Sequence, residues 1–200
     1  MKEHKINNTP EGPDWFIRMC HLGLMVFGVA AWLTGDAADD YKKYEHVWFT
    51  VHGWIGMGLA SSISLYFLYC TIGPKKSRFY QWVPYTKERL QMVRQDIAGL
   101  LRLRLPDRPG HQGLAGLVQF FGVLVFLGMT VTGALMFVLL EPGSKAAGLV
   151  HAVKEVHEAG EILIPLYLSI HVGAVVLHSI TGHQVWRRIF FSNESEVSVQ

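Results

Sequence analysis

Residues 162–186 read ILIPLYLSIHVGAVVLHSITGHQVW, a run with no Lys, Arg, Asp or Glu. A helix that crosses the hydrocarbon core of a bilayer needs about 20 mainly apolar residues, so this stretch is long enough by itself. Three more charge-free stretches precede it: Met19–Gly35, His46–Pro74 and Pro109–Leu140. The first extends back through Trp15, Phe16 and Ile17 before Arg18 interrupts it. A soluble chain of 200 residues has no core large enough to bury four such helices. In lipid, helices satisfy their own backbone groups. The expectation is an all-α, four-helix transmembrane bundle forming a single membrane domain, with spans at about 15–36, 46–73, 111–140 and 157–186.

Composition agrees and narrows the function classes. Half of the chain is apolar and 17% is charged, which excludes a disordered chain. A net charge of +2 is too mild for a nucleic-acid partner. Two cysteines make no disulfide framework, and there is no C-x-x-C-H for covalent haem attachment.

The charges that remain are segregated. Fourteen basic residues fall in the N-terminal tail, in the segment between the second and third stretches, and after the fourth. Only Lys42, Lys43, Lys145 and Lys154 fall on the other side, whose first loop carries Asp36, Asp39, Asp40 and Glu45. By the positive-inside rule both termini are expected in the cytoplasm, which places the protein in the cell inner membrane with membrane lipid as its surroundings. The polar N-terminal tail and the length of the first stretch speak against a cleaved signal peptide. Trp15, Tyr80, Trp82, Tyr85 and Trp186 suit one interfacial aromatic belt, and Tyr41, Tyr44 and Trp48 the other. Between the second and third spans, Leu90, Val93, Ile97, Leu100 and Leu101 recur at helical spacing among Lys87, Arg94 and Arg102. That pattern predicts an amphipathic helix over about 86–103 on the cytoplasmic membrane surface.

Histidines carry the chemistry. Six of the ten lie in or beside the spans: His21, His46, His52, His157, His171 and His178. Ionisable groups inside a membrane helix are costly and mark functional sites. On one straight helix, the 14-residue separation of His157 and His171 falls 40° short of four turns and spans roughly 21 Å, so both rings share a face. Two cofactors stacked across the bilayer would fit that spacing. The vertical order of the spans pairs His52 with His157 near the external surface and His21 with the cytoplasmic end of the last span. Depth counted from Asp36 and Glu161 sets His21 level with His178, so His171 and His178 compete for that partnership. Paired imidazoles without nearby thiolates or carboxylates suit the axial positions of haem iron better than a tetrahedral zinc site. Ten glycines in the spans, among them Gly53, Gly56, Gly128 and Gly133, fit either a macrocycle or close helix packing.

These residues carry a family resemblance. His157-Glu158, then His171, His178 and Trp186-Arg187-Arg188, resembles the last helix of the bacterial cytochrome b561 family. His52 with Gly56, and Arg18 three residues before His21, are similar to the same family. Gly110-His111-Gln112-Gly113 resembles the Gly-His-Asn motif in b-type cytochrome subunits of nickel–iron hydrogenases and formate dehydrogenases, with Gln112 standing where that motif has Asn. The resemblance covers roughly residues 14–190. It implies two non-covalent haem b groups held by helices one, two and four. It favours His171 over His178 as the partner of His21, so the implied iron ligands are His21, His52, His157 and His171. Arg18, Arg187 and Arg188 would then pair with haem propionates, since a guanidinium matches a carboxylate in a fork, His178 would sit near the propionates of the cytoplasmic haem or near a quinone, and His111 and Gln112 would border a quinone pocket. The implied activity is electron transfer between membrane quinone and an external redox partner protein, such as a hydrogenase or another dehydrogenase. A homodimer is left open. A stand-alone quinone reductase fed by superoxide or another small donor shares these features, and a histidine-lined proton or metal transporter is the rival from another class. Unbroken helices and the lack of an inverted repeat count against the transporter.

Overall fold

The structure is a computed structural model and describes residues 13–43, 45–106, 108, 112–141, 143–182 and 186–191. Among the described residues eight α-helices run in chain order and there is no strand. They are α1 (Trp15–Thr34), α2 (Val47–Ile72), α3 (Phe79–Trp82), α4 (Lys87–Leu100), α5 (Leu114–Leu139), α6 (Gly148–Gly160), α7 (Leu163–Ile180) and α8 (Arg187–Phe190). Two 3-10 helices, Asp36–Lys42 and Lys75–Ser77, join the first three. Four segments are long and apolar enough to cross a membrane: α1, α2, α5, and α6 with α7 together.

Caps explain where the spans begin. The Asp14 carboxylate accepts from the Ile17 amide (3.1 Å), and its other oxygen accepts from the Tyr69 hydroxyl (2.6 Å). One side chain thus starts α1 and ties it to the end of α2. His46 makes no side-chain cap for α2. Asp40, on the preceding 3-10 helix, supplies the missing acceptor: it receives the Trp48 and Phe49 amides at 2.9 and 2.8 Å. These first-turn amides have no partner within the helix, and the helix dipole favours a carboxylate there. α5 is started the same way from a distance. Asp96, buried on α4, accepts from the Leu114 amide (2.9 Å) and from Arg108 Nε (2.7 Å). Gly113, at φ +67°, is a glycine by necessity, since a Cβ there would fall 2.0 Å from Asp96 Oδ2.

The fourth span departs from expectation. Its helices run from Gly148 to Ile180 rather than over 157–186, and they break at Glu161 and Ile162. Pro165 is the cause. It has no N–H to give the Glu161 carbonyl, and its ring crowds that carbonyl. The Ile164 amide bonds the Glu161 carbonyl instead, at 3.2 Å, in a tighter turn. The span totals 33 residues. At 1.5 Å each that is roughly 50 Å, longer than a hydrocarbon core of about 30 Å. The first turns of α6, with exposed His151 and Glu155, therefore project beyond it. His157 and His171 consequently sit on two helices, not on one straight rod.

The core runs along the inner faces of α1, α2, α5 and α7, through Cys20, Leu59, Ile63, Tyr66, Cys70, Val123, Phe126 and Ile164. Residues such as Val26, Leu33, Leu68, Val131 and Val138 point outward and are exposed, as helices that meet lipid on their outer side require. α4 carries exposed Leu90 and Ile97, with exposed Leu101 at its C-cap, and buries Val93 and Asp96. Two belt aromatics turn inward instead. Trp82 is buried, with Nε1 donating to the Ser77 carbonyl at 3.3 Å. Tyr41 is buried in a small cluster with Phe49 and Leu140. Tyr44, His111, the side chain of Arg188 and the C-terminal tail lie outside the described residues.

Candidate cofactor site: two facing histidine pairs

The close helix neighbours are α1 with α2, α2 with α5, and α5 with α6 and α7. α1 against α7, and α2 against α6, are not among them. The histidines face each other across these two wider gaps. His21 on α1 and His171 on α7 have ring centroids 6.2 Å apart, with ring planes inclined by 46°. His52 on α2 and His157 on α6 have centroids 6.3 Å apart, with planes inclined by 84°. Of the two competitors, His171 is the ring that faces His21. His178, one further stretch along α7, is half-buried.

A cavity of about 420 Å³ surrounds the His52–His157 pair. Its wall is largely apolar, from Ala31, Met57, Leu59, Met136 and Ile164. Glycines shape it in two distinct ways. At Gly53 a Cβ would lie 2.3 Å from the Phe137 ring, so this glycine admits a neighbour and serves packing. At Gly56, one turn from His52, a Cβ would meet nothing within 4 Å, so this glycine leaves the cavity open. Gly133 lies opposite, with space that a Cβ would share with His157 Cε1 at 3.0 Å. The rim carries Asp36, Asp39, Glu158 and Glu161 against Lys154, whose ammonium bonds Glu158. Lys42 lies just outside and donates to Asp39 at 2.8 Å, a bond that raises its pKa.

Each ring of this pair has a hydroxyl partner on another helix. Thr34 Oγ1, at the end of α1, lies 3.1 Å from His52 Nδ1. Thr132 Oγ1, on α5, lies 2.8 Å from His157 Nδ1. The other pair is held differently. Tyr167, one turn before His171, stacks on it with centroids 5.4 Å apart and planes inclined by 18°. Gly122 lets the Tyr167 ring lie against α5, where a Cβ would come within 2.4 Å of it. None of Thr34, Thr132 or Tyr167 stands out in the sequence as a site residue. The threonines meet their histidines across 18 and 25 positions, and no local pattern links them.

The remaining site residues are scattered around the basic end. Arg18 is half-buried and its Nε donates to the Ile189 carbonyl (2.7 Å), tying α8 to α1. Arg187 is exposed and lies over the Trp186 ring at 5.9 Å. Gln112 is half-buried just ahead of Gly113, and His111 beside it is outside the described residues.

Residues 13–192 match the family model described as prokaryotic cytochrome b561. The chain belongs to the prokaryotic cytochrome b561 family. Neither a curated protein nor a solved structure matches it. With four apolar helices long enough to span a bilayer, this cytochrome b561 family member is a multi-pass membrane protein. Membership makes it a b-type cytochrome, a haem-binding protein of membrane electron transport. The break in its fourth span removes one sequence argument against a transporter. Family membership supplies a stronger one.

Proposed function

We propose that this cytochrome holds two haem b groups, one between His52 and His157 and one between His21 and His171. They carry electrons between a redox partner protein at the acidic end of the bundle and membrane quinone at the basic end. We further propose the cell inner membrane as its location, with both termini in the cytoplasm, from the segregation of basic residues.

The observation that carries the proposal is the pair of ring separations. An iron bonded to one nitrogen of each ring at about 2.0–2.1 Å, with each ring centre roughly 1.1 Å beyond, sets the centroids about 6.3 Å apart. The observed values are 6.2 and 6.3 Å. Rotation about the metal–nitrogen axis is free, so inclinations of 46° and 84° both fit. The donor set points the same way. Among the described residues no group of three or more His, Cys, Asp or Glu could hold a metal ion. Two protein nitrogens per site suit an iron whose other four positions belong to a macrocycle. Gly56 and the 420 Å³ cavity supply room beside one such pair.

Bound haem supplies a one-electron ferrous–ferric couple. The chain's residues do the rest. The four histidines fix the iron positions, and the helices hold them there without rearrangement. The apolar wall excludes water from the His52–His157 pair. On this proposal Arg18, together with His178 and Arg187, serves the propionates at the basic end. His111 and Gln112 border the quinone site there.

The acidic rim favours a protein partner over superoxide. Four carboxylates against the ammoniums of Lys154 and Lys42 leave the opening net negative, and like charge lowers the encounter rate of a small anion. The test is reduction by quinol. Purified protein mixed with a short-chain quinol under argon is expected to develop a reduced b-type spectrum within the mixing time. Haem that stays oxidised while dithionite reduces it would contradict the quinone assignment.

A further inference from the structure

Resting on the di-haem proposal, we infer that Thr34 and Thr132 are matched positioning residues that fix the tautomers of His52 and His157, so that both rings turn an Nε2 lone pair toward the same iron. The argument counts protons. Thr34 Oγ1 lies 2.8 Å from the Ala30 carbonyl, one turn back on α1, and 3.2 Å from the Ala31 carbonyl. Carbonyls only accept, so the single hydroxyl proton goes there. Facing His52 Nδ1 at 3.1 Å, the oxygen is then an acceptor, and Nδ1 must carry the ring proton.

Thr132 repeats the arrangement. Its Oγ1 lies 2.8 Å from the Gly128 carbonyl, 3.2 Å from the Met129 carbonyl and 2.8 Å from His157 Nδ1. Both neutral imidazoles are thereby left with Nε2 as the unprotonated nitrogen, the form an iron needs.

Two helices that carry neither ligand of this pair, α1 and α5, thus aim the rings that α2 and α6 carry. A ligating imidazole that donates its other N–H becomes a more basic ligand and is held in orientation. A more basic ligand favours ferric iron, so the two hydroxyls lower the potential of the haem at the acidic end.

The test uses Thr34→Val, Thr132→Val and the double variant, with Thr34→Ser and Thr132→Ser as conservative controls. In haem-free protein labelled with 15N at histidine, NMR is expected to show His52 and His157 protonated at Nδ1 and bare at Nε2. Haem titration is expected to show one of two sites weakened roughly 10- to 100-fold by valine and restored by serine. The midpoint potential of that site should rise while the other stays fixed. Nε2-protonated rings in the haem-free protein, or valine variants with unchanged affinity and potential, overturn the inference. Wild-type protein that takes up no haem would instead overturn the di-haem proposal, and the 15N spectra would still decide the tautomers.

Discussion

Gly53 and Gly56 stand one turn apart on α2, line the same cavity, and should respond oppositely to substitution. At Gly53 an added Cβ lies 2.3 Å from the Phe137 ring. The ring must retreat by about 1 Å to reach ordinary contact, and such overpacking costs about 1–3 kcal/mol. Alanine's better helix propensity returns about 0.5–1 kcal/mol of that. At Gly56 nothing lies within 4 Å, so Gly56→Ala keeps only the gain. The two alanine variants should therefore differ by about 2 kcal/mol in graded SDS unfolding of the haem-free protein.

Gly56→Leu then asks what the space is for. Its four side-chain carbons take roughly 100 Å³ of a cavity of about 420 Å³ and block a flat macrocycle. The expected result is a folded protein that has lost one haem and kept the other. A Gly56→Leu variant with a full complement of haem would refute the assignment of the cavity, and Gly56→Ala unfolding as readily as Gly53→Ala would refute the packing argument.

Two predictions concern the basic end. Asp96→Ala removes the acceptor of the Leu114 amide and the partner of Arg108. Because Arg108 is 29% exposed and can rehydrate, the loss should be about 3 kcal/mol, at the low end for a broken buried pair. It should appear as faster tryptic cleavage at Arg102 and Arg104, with Asp96→Asn intermediate. Glu88 lies in the first turn of α4, where its own backbone amide and the Thr86 hydroxyl hold its pKa below the ordinary 4.5. A depressed pKa stabilises the start of α4 above the unfolded value, and that support disappears as pH falls through the lowered folded value. Backbone chemical shifts of Lys87–Arg89 should therefore lose helical character below about pH 4.5, and Glu88→Gln should flatten the dependence.

Much of the architecture was legible because lipid allows few solutions. A span tolerates hardly any charge, so the four charge-free stretches mark the helices directly. With spans alternating in direction, the height of each histidine sufficed to bring His52 beside His157. At the other pair, depth counting alone put His21 level with His178, and only the family spacing pointed to His171. The count fails there because flanking charges mark depth poorly. Pro165 is visible in the sequence, yet its effect depends on which carbonyl it faces. Thr34, Thr132 and Asp96 were invisible as site or cap residues, since each acts across helices on a distant partner. Tyr41 and Trp82 carry the composition of an interfacial belt and turn inward because Phe49 and the Ser77 carbonyl receive them. Aromatic type alone says nothing of that direction.

The central claim is two irons per chain, each gripped by one of the two facing histidine pairs. Haem per polypeptide, measured by pyridine haemochrome against quantitative amino-acid analysis, tests it most directly in the wild type and in His157→Ala. The account predicts two haems in the first and one in the second. A single haem in the wild type, or two retained in His157→Ala, would contradict it.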